Sequence, residues 1–127
     1  MSRKDLSVVR KYGISKEKYR ELMYFCMQYQ DMKTRIEYGM HSIDSDGQPH
    51  GSSVGSPTEE QAIRNERYAH NVRIIEEAAK EAAPELYKYI LQSVTDGISY
   101  DYLDAPCGRH QFYNARRKFF YRLSLKR

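Results

Sequence analysis

The residues best suited to chemistry in this 127-residue chain lie in the stretch CGRHQFYNARRKFFYRLSLKR, from Cys107 to Arg127. It carries Arg109, Arg116, Arg117, Lys118, Arg122, Lys126 and Arg127 and no acidic residue. After Gly108 the spacing predicts one helix of about 17 residues. On a helical wheel Phe112, Ala115, Phe119 and Leu123 form an apolar stripe. His110, Asn114, Arg117 and Tyr121 lie opposite it, flanked by Gln111, Tyr113 and Lys118. Arg, Asn, Gln and His side chains can hydrogen-bond base edges, and Lys and Arg neutralise phosphates. The expectation is a helix that docks by one face and offers the other to double-stranded DNA. Base contacts are assigned to Arg109, His110, Gln111, Tyr113, Asn114 and Arg117. Phosphate contacts are assigned to Arg116, Lys118, Tyr121, Arg122, Lys126 and Arg127. A helix with a merely solvated basic face explains the same charge run, because such runs are common.

Other chemistries are poorly served. His41, His50, His70 and His110 have no H-E-x-x-H or other ligand spacing, and Cys26 and Cys107 form no C-x-x-C pair. The neighbouring carboxylates Glu59/Glu60 and Glu76/Glu77 point in different directions on a helix and make no acid–base pair. The glycines at 47, 51 and 55 have neither a strand before them nor a Walker lysine after them. Cys107 precedes a helix N-terminus, a place that can lower a thiol pKa, although a structural cysteine in a turn is the simpler reading. The expectation is a protein that is not an enzyme, with no cofactor and no metal.

The elements that must position the basic helix follow from pattern and punctuation. The net charge of +4 is laid out in blocks. Residues 1–38 carry nine basic and five acidic side chains, residues 39–108 five and twelve, and residues 109–127 seven and none. A basic end block is an electrostatic footprint for nucleic acid or for an acidic protein surface. Residues 1–14 read as a basic lead-in. A helix from Lys16 to Tyr38 follows, N-capped by Ser15 and closed by Gly39. The Gly/Ser/Asp-rich run at 40–57 reads as a flexible linker. Thr58 and Gln61 make a capping box for a helix reaching Ala82. Pro84 opens a short helix carrying Leu86, Ile90 and Val94, which ends at Thr95–Gly97. The expected fold is therefore all-α, with an N-terminal helical arm at 1–39, the linker at 40–57 and a helical DNA-binding domain at 58–127. Its helix-turn-helix falls at about 99–125. No apolar stretch approaches the ~20 residues of a membrane span. The N-terminus lacks a signal-peptide core, and two distant cysteines make no disulfide framework. A cytoplasmic protein of a bacterial host cell is expected.

Two segments carry a family resemblance. GRHQFYNARRKFFYRL resembles the recognition segment of the phage late-gene transcription activators of the RinA/ArpU type, with Phe112, Tyr113, Arg116, Arg117 and Leu123 as the matching residues. SPTEEQAI, from Ser56 to Ile63, resembles the start of that family's long helix. Asp104 and Pro106 depart from the family by interrupting the first helix of its motif. The resemblance implies a DNA-binding unit similar to the DNA-reading region of sigma factors, in a phage or prophage transcription regulator. The implied partners are double-stranded DNA, host RNA polymerase or another host protein, and a second copy in a homodimer, with no membrane. Two other functions fit the same residues: a packaging factor like a small terminase subunit, and a phage protein that binds and inhibits a host protein through the basic helix.

Overall fold

The computed structural model describes residues 3–36 and 59–127, with side chains from Val8 onward. Every regular element among them is helical. They are α1 (Arg3–Tyr12), α2 (Lys16–Met27), α3 (Glu59–Ala82), α4 (Tyr87–Asp96), a 3-10 turn (Tyr100–Tyr102) and α5 (Arg109–Lys126). The linker expected at 40–57 lies outside the described residues, as do Thr58 of the capping box and Gly39.

Local chemistry sets most of the boundaries. Ser15 caps α2, its Oγ accepting the Lys18 amide N–H at 3.0 Å, and Glu17 in the first turn suits the helix dipole. The long helix expected from Lys16 to Tyr38 is interrupted. Gln28 forms a turn whose N–H reaches the Phe25 carbonyl at 3.1 Å, and residues 29–36 resume as helix. The helix expected to restart at Pro84 begins later, at Tyr87. Leu86 closes a turn by donating its N–H to Ala83 O at 3.0 Å. Gly97 then ends α4 in the left-handed region, at φ 70°, where a side chain is costly. Asp104 also takes positive φ, 53°, a conformation Asp tolerates better than most residues.

The lead-in at 1–14 is a helix. Val8 and Tyr12, one turn apart, face inward, with Val8 fully buried and Tyr12 half-buried. Gly13, at φ 66°, turns the chain into α2. This N-terminal segment is not an independent arm. Val8, Ile14, Tyr19, Leu22, Phe25 and Cys26 belong to the same buried cluster as Ile75, Ala79, Ile90, Phe112, Phe119 and Leu123.

At the centre of that cluster lies α5. Its expected stripe of Phe112, Ala115, Phe119 and Leu123 is buried, and so is Phe120, off the stripe. The Phe120 ring meets Tyr19 of α2 edge-on, with centroids 5.0 Å apart. On a further side Tyr121 stacks on Tyr12 of α1 at 4.9 Å. The most extensive neighbour of α5 is α3, where Ala78, Ala79 and Ala82 are buried and small enough to bring the two axes close. The tie between α2 and α3 continues past Gln28, where the Tyr29 hydroxyl donates to Glu76 Oε2 at 2.5 Å.

Truncating Phe120 leaves a cavity between α2 and α5. Phe120→Ala is expected to cost about 3–5 kcal/mol in chemical denaturation. Because α1 and α2 share the core, far-UV circular dichroism and tyrosine fluorescence should report one coincident transition. Two separated transitions would show an N-terminal unit that folds apart.

Candidate nucleic-acid interface

The exposure of α5 changes along its length. Arg109, His110, Gln111 and Lys118 are exposed, and Tyr113, Asn114 and Arg117 are half-buried. Gly108 is the N-cap, and the first turn contains no acidic side chain. The positive end of the helix dipole therefore adds to the charge of Arg109. The segment that leads into this end is rigidly held. The Tyr100 hydroxyl donates to the Cys107 carbonyl at 2.6 Å, Leu103 is buried, and the Tyr100 ring lies 5.6 Å from Phe112.

Two contacts orient the candidate base-reading side chains. Arg109 Nη2 donates to Asp101 Oδ1 at 2.5 Å, and its guanidinium sits 5.5 Å over the Tyr100 ring. Both partners of this ion pair are more than half exposed, so the pair contributes about 0–1 kcal/mol and yields readily to a stronger acceptor. Arg117 donates through Nη2 to Asn114 Oδ1, while its Nε is buried without a hydrogen-bond partner. Asn114 and Arg117 thus form a local unit, with one acceptor of Asn114 already engaged.

Three further cations, Arg116, Lys126 and Arg127, make contacts within the fold. The Arg116 guanidinium lies 5.0 Å over Phe120, with Nη1 3.5 Å from the Tyr19 hydroxyl. Lys126 Nζ lies 2.6 Å from Glu81 and 3.6 Å from Glu77, and the hydrogen bond to Glu81 holds its pKa above the ordinary lysine value. Arg127 bonds Glu21 at 2.6 Å and covers the Phe25 ring at 3.9 Å. Tyr121 is stacked on Tyr12, and Arg122 is half-buried with an unpartnered Nε. Of the residues expected to contact phosphate, Arg116, Tyr121, Lys126 and Arg127 each also contact α1, α2, α3 or a neighbouring ring. Of the expected phosphate residues, Lys118 remains exposed and forms no ion pair among the described residues.

One participant was missed from sequence. Lys11, near the end of α1, lines an open cleft of about 340 Å³ together with Tyr12, Ala82, Glu85, Gln111, Asn114 and Lys118. The signal was present in VVRKYG. Val8 and Tyr12 share one face, basic residues occupy the last turn, and a glycine follows, which together mark a short helix and its end.

Neither thiol is activated. Burial raises Cys26 to about 12, and burial also pushes Cys107 upward, against the lowering that a helix N-terminus offers. Among the described residues no group of His, Cys, Asp and Glu is placed to hold a metal ion, and no helix is long and apolar enough to cross a membrane. No protein-family model, no curated protein and no solved structure matches the chain.

Burial of Cys26, and burial of Tyr29 beside Glu76, both raise the folded-state pKa. Each group holds its proton more tightly folded than unfolded. The stabilisation from Cys26 is complete below the ordinary thiol value of 9.0 and is lost as pH rises from there toward about 12, and that from Tyr29 is lost only above its ordinary value of 10.0. The melting temperature should fall steadily above pH 9, and Cys26→Ala should make that decline shallower. A thiol reagent at pH 8 should modify Cys107 in the folded protein and reach Cys26 only after denaturation.

Proposed function

We propose that this chain is a double-stranded DNA-binding protein, a phage or prophage transcription regulator, that reads the major groove with the first turns of α5. One observation carries the reading. Along a single helix, the side chains of the first turn, Arg109, His110 and Gln111, stay exposed, as does Lys118 at mid-helix, whereas Arg116, Lys126 and Arg127 make ion pairs or ring contacts with the rest of the fold. A helix that reads base edges presents its N-terminal residues to the groove and needs its remainder anchored in a rigid body. In this reading Arg109 takes a guanine edge and Gln111 an adenine edge. His110 lies on the same exposed turn, Asn114 and Arg117 act as a pair, and Tyr113 packs at the rim beside Tyr100. The basic end block supplies the long-range attraction. The resemblance of residues 108–123 to the phage activators supports the regulator reading over the packaging one.

The test is selection of bound duplexes from a random pool, followed by affinity measurements on the recovered site and on a scrambled one at two salt concentrations. Arg109→Ala and Gln111→Ala should each cost about 1–3 kcal/mol on the recovered site and relax preference at one base position. Arg127→Ala, which removes the ion pair with Glu21, should leave the ratio of recovered to scrambled affinity unchanged. Equal affinity for recovered and scrambled duplexes at both salt concentrations would overturn sequence reading.

A further inference from the structure

Lys11 on α1 and Lys118 on α5 are more than a hundred positions apart in sequence, yet the fold brings them to the walls of one cleft. We propose that this cleft is a subsite for a single phosphodiester of the duplex backbone, held between the two ammonium groups. The inference rests on the DNA-binding reading and deepens it.

Four features converge on that ligand. First, Lys11 and Lys118 both line the cleft, and among the described residues neither forms an ion pair. Lys126 and Arg127, further along α5, are both paired to carboxylates. Second, Lys11 is held in place. Its neighbour Tyr12 is clamped on Tyr121 by ring stacking, and its Nζ lies 5.5 Å over the Tyr12 ring. Third, the Asn114 amide lines the same cleft, and such groups donate to phosphate oxygens. Fourth, Glu85 also lines it. Two lysines and one glutamate leave a single positive charge, which balances the single negative charge of a phosphodiester. A phosphomonoester, at about −1.5 to −2 near neutral pH, would be left under-neutralised. The cleft is open rather than enclosed, so a continuous backbone can cross it. It flanks Gln111, one of the exposed residues assigned to base reading, as backbone contacts that fix register must.

The experiment uses the full chain and the duplex recovered by selection, with one phosphodiester at a time replaced by a neutral methylphosphonate. One backbone position should weaken wild-type binding about tenfold when neutralised, the scale of a single charge-assisted contact. Lys11→Gln and Lys118→Gln should each weaken binding to the unmodified duplex and become insensitive to neutralisation at that same position. Each should lower the slope of log affinity against log salt by about one and leave the ratio of recovered to scrambled site unchanged. Glu85→Gln should strengthen binding. Both lysines are exposed, so melting temperatures of the variants should match wild type. Sequence-specific binding in which the two lysines map to different phosphates, or to none, overturns the subsite and leaves the DNA-binding reading standing. Absence of any duplex binding overturns both. Inorganic phosphate that shifts the amide resonances of Lys11 and Lys118 in a chain that ignores duplexes would assign the cleft to a free anion and overturn the backbone assignment.

Discussion

Two adjacent phenylalanines dictate the architecture. Consecutive residues of an α-helix project about 100° apart, so Phe119 and Phe120 cannot both be buried against one neighbour. Both are almost completely buried. Their helix must therefore be covered from at least two directions, and it is. The alanine-rich half of α3 forms the most extensive contact, and α2 supplies Tyr19 against the Phe120 ring. Each large aromatic side chain removed from water contributes roughly 1.5–3 kcal/mol, far more than any surface ion pair here. Hydrophobic burial thus decides the position of α5, and the charges adapt to it. A helix that sequence pattern presents as a two-faced rod becomes the axis of the bundle.

That position sorts the cations of α5 into two groups. Toward the C-terminus, α2 and α3 come close enough for Glu21, Glu77 and Glu81 to reach Lys126 and Arg127. Arg116 and Arg127 also spread their guanidinium planes over Phe120 and Phe25. Flat, weakly hydrated guanidinium groups suit this use better than lysine ammonium groups do. Toward the N-terminus Asp101 engages Arg109 in an exposed pair, and His110 and Gln111 are exposed. The difference comes from which neighbours reach each side chain.

The helical class, the stripe of Phe112, Ala115, Phe119 and Leu123, the Ser15 cap and the Gly97 stop were all legible in the sequence, because each depends on residues within about one or two turns of one another. What could not be read were pairings across the chain. Periodicity places Phe120 and Tyr121 beside or opposite the stripe, and local pattern cannot show that Tyr19 and Tyr12 arrive to cover them. The break at Gln28 was hidden for a similar reason. The flanking residues are good helix formers, and the apolar face resumes at Tyr29 and Met32 with only a small change of phase. The candidate site divides in the same way. Arg109, His110, Gln111 and Lys118 are exposed, whereas Asn114, Arg117 and Tyr121, which the wheel sets opposite the stripe, are half-buried. Arg116, Tyr121, Lys126 and Arg127 look equally free in sequence and are claimed by partners tens of residues away.

Among the described side chains of α1, Val8 and Tyr12 face inward, and the helix adjoins α2 through a glycine in the left-handed region. This helix supplies Lys11, one of the two lysines of the cleft, and Tyr12, the ring that covers Tyr121. A ligand spanning α1 and α5 binds only when α1 is docked, so binding and docking must reinforce each other. At a ligand concentration a hundred times the dissociation constant, that linkage stabilises the docked state by about 2.7 kcal/mol. This is comparable to burying a single side chain of the kind that anchors α1. Under the proposed function, a nucleic-acid backbone bound across the cleft would fix the position of α1 as well as that of α5.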